Sequence, residues 1–320
     1  HASSAASDVY KRQFREFSKS ISDSEQTFYL NDDLLYKGQF GQNNELAKID
    51  DLNSSDAIVV WAEDLKEKMP VLYLRVRQAV KKGVKLIVFG HTNETLTDIA
   101  DVFYGKETVS KNFEIIKDVS KLNEIKNYVV GKNITAIIGK STPQQSDESI
   151  RELSEFLKSN SNTKILNTYT KGNTYGAFQT LENIKGTKDF VDDISSENTD
   201  LLFVVGADPV GRSFYSNEIK SILENLDTVV SLDIFNHETA ELSNFVIPVS
   251  STLGEKEGTF TNIEFRTSRI DKLVPSPGQS ISDSEFITSL MNFAGLSNDI
   301  NSLEDLNNKA FESIENSTRP

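Results

Sequence analysis

The 320-residue chain contains no cysteine. That excludes disulfides, thiolate-held iron–sulfur clusters, Cys-type zinc sites and a cysteine nucleophile within these residues. Histidine is almost as scarce. Of the three, His1 lies in the first stretch, and His91 and His237 are far apart with no His-x-x-x-His spacing, so no histidine metal site is expected. No apolar run approaches the roughly 20 residues that a membrane-crossing helix needs, and the first residues hold no signal-like apolar segment. Basic residues are outnumbered, for a formal net charge of −14. Such acidity opposes nucleic-acid binding, because phosphate recognition needs a basic footprint. No Gly-x-Ser-x-Gly, P-loop or Gly-x-Gly-x-x-Gly occurs, so the hydrolase, NTPase and dinucleotide signatures with those spacings are absent.

What is present centres on residues 201–262. Five apolar residues, Leu201 to Val205, are enough for a buried strand, and the run stops at Gly206-Ala207-Asp208-Pro209. A second run, Thr228 to Leu232, ends in Asp233; a third, Phe245 to Val249, leads into a segment holding Gly254 and Gly258. Strand, helical connection, strand is the grammar of a parallel sheet, whose ligands bind beyond the carboxyl ends of the strands. Gly206, Asp208, Asp233, Thr239, Gly258, Thr259 and Asn262 are therefore expected to line one cleft. His237, Glu238, Thr239 and Glu241 fit either acid–base work or a helix start that favours carboxylates. Glu255 and Glu257 are open in the same way, as loop or site carboxylates.

The rest of the chain is read in order. Residues 1–13, HASSAASDVYKRQ, read as a non-native terminus outside the fold. A polar, loosely structured lead-in, expected to hold one helix, follows to residue 56. Ala57–Trp61 reads as a strand, then a helix with Pro70 in its first turn, Gly83 at its end and Leu72, Val76, Ala79 and Val80 on one face. Val84–Phe89 completes a βαβ unit. Lys66, Lys68, Arg75, Arg77, Lys81, Lys82 and Lys85, with Glu67 the only acid among them, are either a solvated face or a docking face for an acidic partner. Further on come a helix-like ETLTDIADVF, a weak strand Phe113–Ile116, a clear strand Ile134–Ile138, and a helix with Ile150, Leu153, Phe156 and Leu157 on one face. Lys164–Leu166 reads as a short strand, KGNTYGAF as a loop and residues 183–199 as an acidic linker. Ser282 starts a helix that turns Phe286, Leu290 and Phe293 inward, and Leu303–Ile314 is a last candidate helix. The expected fold is α/β, with two Rossmann-like lobes of mainly parallel sheet at residues 14–115 and 116–270 and a helical tail at 271–320.

VGADP, DIFNHETAELSNFVIP and EKEGTFTN, with VVWAEDLKEKMPVLYLRVRQAVKKGVKLIVFG upstream, resemble the molybdopterin oxidoreductase family across roughly residues 45–300. The resemblance implies that the loops of Gly206, Asp208, Asp233, Thr239, Gly258, Thr259 and Asn262 are those that hold the guanine-dinucleotide ends of a bis-molybdopterin cofactor. It also places KGNTYGAF against the pterin. The chain departs from the family at Trp61-Ala62-Glu63-Asp64, where a Gly-x-Asn-Pro-like turn is usual. Without glycine, and with two carboxylates, this turn opposes a diphosphate. Within the family, DLNSSDAIVVW and DIFNHETAELSNFVIPVSSTLGEKEGTFTN are most similar to the large iron–sulfur subunit of NADH:quinone oxidoreductase (respiratory complex I). That similarity implies a silent scaffold with its molybdopterin lost, no catalytic or metal residue of its own, and iron–sulfur clusters held upstream. It further implies other peripheral-arm subunits as partners and a place at the cytoplasmic face of the inner membrane. Two alternatives stay open: part of an active molybdopterin enzyme such as a formate dehydrogenase, and a plain nucleotide-binding α/β module.

Overall fold

In the computed structural model, residues 8–21, 28, 45–61, 64–91, 94–105, 119–139, 155–159, 161–168, 172–180, 185–196, 199–213, 215–252 and 254–296 are described. They divide into two units, Leu35–Thr170 and His1–Leu34 with Lys171–Pro320. In chain order the elements are α1 (Asp8–Ile21), β1 (Glu45–Leu46), β2 (Ala57–Trp61), α2 (Leu65–Lys68), α3 (Pro70–Lys81), β3 (Lys85–His91), α4 (Glu94–Thr97), β4 (Val102–Gly105), α5 (Val119–Val129), β5 (Asn133–Ile138), β6 (Asn162–Asn167), α6 (Thr174–Thr180), α7 (Thr187–Ser196), β7 (Leu201–Val205), α8 (Pro209–Arg212), α9 (Ser216–Asn225), β8 (Thr228–Asp233), α10 (Glu238–Glu241), β9 (Phe245–Pro248), β10 (Gly258–Thr261), β11 (Thr267–Ile270) and α11 (Asp283–Phe293).

The unit of residues 35–170 is built on a six-stranded sheet in the order β1-β6-β5-β2-β3-β4, parallel throughout. Every residue of β2 is buried, as a strand covered on both faces requires. Trp61, Phe89 and Tyr104 form an aromatic layer in its core, Trp61 and Phe89 at 5.7 Å and Phe89 stacked on Tyr104 at 5.3 Å. Helix α3 starts at Pro70 as expected and buries Leu72, Tyr73, Val76 and Ala79; Tyr73 takes the place expected of Val80. From β2 the chain winds outward through β3 and β4, then returns to the other side of β2 for β5 and β6, which is the doubly wound arrangement.

That return moves the boundary expected between residues 115 and 116, because β5 pairs with β2 in full register, Ala57 with Ile134 to Trp61 with Ile138. Local patterns show that a strand exists, not which sheet it joins. Only Glu94–Thr97 of ETLTDIADVF is helical; Val102–Tyr104 instead extends beside Ile87–Phe89, where sheet pairing overrides the helical spacing. The expected strand Phe113–Ile116 and helix Leu303–Ile314 lie outside the described residues. So does most of the helix after Gly139, apart from a helical stretch at 155–159.

The other unit holds the parallel sheet β7-β8-β9 and the antiparallel hairpin β10-β11. One side of the sheet packs Val204 and Val229 with Phe190, Val210, Ile219 and Leu223; Val230, Leu232 and Val249 form a core with Phe14, Phe203 and Phe286. Helix α1 packs on α11, with Phe17, Ile287 and Met291 buried together, and Gln13 donates through Nε2 to Thr288 Oγ1 at 3.3 Å. Residues 8–13 therefore belong to a folded helix rather than lying outside the fold. Two further expectations change. KGNTYGAF is largely helical, as α6, and α7 occupies most of the expected 183–199 linker, anchored by buried Phe190. Helix α11 opens with the reciprocal Ser282–Glu285 capping box. Phe286 and Leu290 pack half-buried against the core as expected and Ile287 and Met291 are fully buried, but Phe293 is 93% exposed. No helix among the described residues is long and apolar enough to cross a membrane.

Candidate functional site

Parallel pairing of Val205 with Leu232 delivers Gly206 and Asp233 side by side to the carboxyl edge of the sheet, and the Gly206 N–H donates to the Leu232 carbonyl at 2.8 Å. Gly206 has φ 61, a left-handed turn that a side chain would strain. It directs the chain into α8, whose N-cap is Asp208 and whose first residue is Pro209.

Asp208 Oδ1 is the hub of the edge. It accepts from the Gly211 N–H at 3.1 Å, the Thr239 hydroxyl at 2.7 Å and the Thr239 N–H at 3.3 Å. Thr239, fully buried at the start of α10, accepts in turn from the Val210 N–H at 3.1 Å. His237 caps α10, its Nδ1 accepting from the Ala240 N–H at 3.2 Å. Its ring lies between two carboxylates, Nδ1 3.3 Å from Asp208 Oδ1 and Nε2 3.1 Å from Asp233 Oδ2. Asp233 is held by its own turn, Oδ1 accepting from the Ile234 N–H at 2.7 Å and the Phe235 N–H at 3.2 Å. Of the residues read from the sequence, Gly206, Asp208, Asp233 and Thr239 thus come together, joined by His237.

Gly258, Thr259 and Asn262 have other partners. Gly258 and Thr259 pair across the hairpin with Ile270 and Arg269. Asn262 closes its turn, its Oδ1 accepting from the Glu264 N–H at 2.9 Å and the Arg266 N–H at 3.0 Å. The hairpin packs on the start of α6. Buried Asn173, at φ 53, accepts through Oδ1 from the Thr261 N–H at 2.6 Å, and a Cβ at Gly172 would come within 2.7 Å of the Phe260 ring. Tyr175 sits edge-on to Phe265 at 3.9 Å, and burial pushes its hydroxyl up to about 12. The segment read as a loop is instead a helix start packed on the GTFTN hairpin. Glu255 accepts from the Ser251 N–H at 2.6 Å and Glu257 lies 3.4 Å from Arg269, so both have structural partners.

Sequence reasoning passed over Gly211. A Cβ there would overlap the Asp208 carboxylate, so a larger residue would have to displace that cap. The available signal was Asp-Pro-x-Gly, an N-cap acid three residues before a residue without a side chain.

The chemistry of the edge follows from where its donors point. An anion at a helix N-terminus needs free backbone N–H groups. In α8, Pro209 has none, Val210 donates to Thr239 and Gly211 donates to Asp208. Asp208 already supplies the negative charge. In the other unit Asp64 caps α2 in the same manner, accepting from the Glu67 N–H at 3.3 Å. As arranged, the start of α8 does not offer its Val210 and Gly211 amides to the diphosphate of a dinucleotide. Burial raises the Asp208 pKa, but hydrogen bonds from Thr239 and Gly211 outweigh it and hold the carboxyl below its ordinary value. The stability this adds is fully present above the unfolded value of about 3.9 and is lost as pH falls through the lower folded value. Asp208→Ala is expected to cost about 1–2 kcal/mol at pH 7 in urea unfolding, and the difference from wild type should shrink as pH drops below about 4. A cost that stays constant with pH would show that the charged form of Asp208 contributes nothing extra.

A family model described as molybdopterin oxidoreductase matches residues 4–293. The alpha subunit of F420-dependent formate dehydrogenase 2 from Methanococcus maripaludis is 37% identical over 117 residues, covering 33% of this chain and 17% of that protein. The NADPH-Fe(3+) oxidoreductase alpha subunit of Geobacter sulfurreducens is 32% identical over 102 residues, 32% of this chain and 12% of that protein. The matched stretches thus span less than a fifth of these curated relatives. Among solved structures, the formyltransferase/hydrolase complex FhcABCD of Methylorubrum extorquens superposes with a TM-score of 0.66 at 12% identity, covering 92% of this chain and 91% of that one. Acetylene hydratase from Pelobacter acetylenicus gives 0.52 at 13% identity, covering 91% and 54%. These two similarities speak for the fold alone. With two α/β units on parallel sheets and a family match running through both, the chain belongs to the molybdopterin oxidoreductase family.

Proposed function

We propose that this chain is a catalytically silent, molybdopterin-oxidoreductase-like scaffold, of the kind found in the large iron–sulfur subunit of NADH:quinone oxidoreductase. In this reading it shields and positions clusters held elsewhere, between NADH and quinone. The observation that supports silence is the commitment of the α8 amides: the donors a cofactor diphosphate would need are already bound to Asp208 and Thr239. The family's cofactor, when bound, supplies redox chemistry at molybdenum. The absence of cysteine also removes the usual ligands of an iron–sulfur cluster within these residues. The partners would be other peripheral-arm subunits, which would hold the chain at the cytoplasmic face of the inner membrane.

A second reading, part of an active formate-dehydrogenase-like enzyme, is favoured by the identity of 37% to a formate dehydrogenase alpha subunit. Elemental analysis and pterin fluorescence on protein from a molybdenum-replete host separate the two. The expected result is no stoichiometric molybdenum, iron or pterin. Stoichiometric molybdopterin would overturn the scaffold reading in favour of the second. Weak guanine-nucleotide binding without molybdenum would favour the plain nucleotide-binding module.

A further inference from the structure

Helix α3 carries Arg75 and Lys81 on a side that its own unit leaves exposed. Its buried stripe is Leu72, Tyr73, Val76 and Ala79. On the other side Val71 is 65% and Leu74 61% exposed, and Arg75, Gln78 and Lys81 are exposed with them. Residues three and four apart on a helix are neighbours, so Val71, Leu74 and Arg75 adjoin, with Gln78 and Lys81 continuing the row. Exposed Lys66 on α2 lies just before it in the chain.

Some of the local positive charge is already used. Lys85 pairs with Asp101 at 2.7 Å, Lys82 donates to Asn53 Oδ1 at 3.0 Å and Arg77 donates to the Tyr73 hydroxyl at 3.0 Å. Lys66, Arg75 and Lys81 form no ion pair among the described residues. Two large aliphatic side chains therefore stand side by side among these cations. Apolar residues within a charged surround are the anatomy of a protein interface.

Charge narrows the occupant. Seven basic residues stand against Glu67 between residues 65 and 85, on a chain of net charge −14. The face is thus locally cationic and calls for an anionic partner, and Val71 and Leu74 at its centre call for apolar area to bury against, which a phosphate backbone does not offer. A two-fold pairing of copies through the same face would set its cations against each other. A contact with another copy's acidic surface would be head-to-tail and would not close unless it formed a ring. We propose that Val71, Leu74, Arg75 and Lys81, with Lys66, dock an acidic surface of a different protein chain, apolar at its centre. This inference does not depend on whether the chain binds molybdopterin.

The test uses the full chain and a fluorescent amphipathic helical peptide with Leu on one face and Glu around it, its Lys-for-Glu counterpart serving as control. The acidic peptide should bind and the basic one should not, and binding should weaken as salt rises. Arg75→Glu with Lys81→Glu should lower affinity by about tenfold or more, and Val71→Ser with Leu74→Ser by about tenfold. Unchanged Trp61 fluorescence and circular dichroism in these surface variants would verify folding. Failure of the acidic peptide to bind, or binding indifferent to both double variants, would overturn the proposal. So would tighter binding of phosphatidylglycerol vesicles or an oligonucleotide to the same face, or wild-type self-association that the charge reversal abolishes.

Discussion

Lys256→Ala is expected to destabilise the unit of residues 1–34 and 171–320 by about 3–5 kcal/mol. Lys256 Nζ pairs with Asp283 Oδ2, with side-chain exposures of 9% and 3%. The pair ties the loop before β10 to the first residue of α11. Taking both charges out of water is costly, and their mutual attraction does little more than offset that cost. Removing one partner is a different matter, because it leaves the other buried and uncompensated. The discriminating comparison is Lys256→Met combined with Asp283→Leu, which removes both charges, keeps much of the volume, and should restore most of the loss. Urea unfolding followed by circular dichroism, with hydrogen exchange across 283–293, measures both. A loss below about 1 kcal/mol for Lys256→Ala would mean that water reaches Asp283 once the lysine is gone.

In the unit of residues 35–170, Trp61→Ala should cost about 3–5 kcal/mol. Trp61 ends β2, is fully buried, and carries the aromatic layer through Phe89 to Tyr104. β2 pairs on both sides, with β3 and β5, so the cavity would open between strands whose backbones cannot close on it without breaking register. The cost combines lost transfer energy with the unfilled volume. Trp61→Phe keeps an aromatic ring and should lose markedly less. Since Trp61 is the only tryptophan, its fluorescence reports on this unit in the wild type, and hydrogen exchange on β2, β3 and β5 reports on it in the variants. Equal stability of Trp61→Ala and Trp61→Phe would sink the expectation of a rigid aromatic layer.

The edge cluster was only partly legible in the sequence. Gly206 and Asp208 follow β7 directly and Asp233 ends β8, so the parallel-strand rule carries them to one edge. Thr239 belongs to the same set, but its role as the residue that occupies the Val210 amide depends on α10 approaching α8. His237 illustrates the limit. A helix-start reading places it at the N-cap of α10, yet its position between Asp208 and Asp233 joins carboxylates from two different strands. No local pattern encodes that.

The sequence by itself determined the segments whose signals are local and covalent. Ala57–Trp61, Leu201–Val205 and Thr228–Leu232 are apolar runs of strand length. Pro70 begins α3 and the Ser282–Glu285 box begins α11, because a ring without an N–H and a reciprocal cap act within one turn. Only the tertiary structure decided that β5 and β6 complete the first sheet, that Val102–Tyr104 extends beside β3, and that segments 8–21, 174–180 and 187–196 are helical. It also turned Ile287 rather than Phe293 inward and drew Asn173 under the β10 hairpin. The physical reason is the same in each case. Periodicity constrains the face a segment presents, whereas its partner across a crossover depends on which other surfaces remain to be buried, and that is a property of the whole chain.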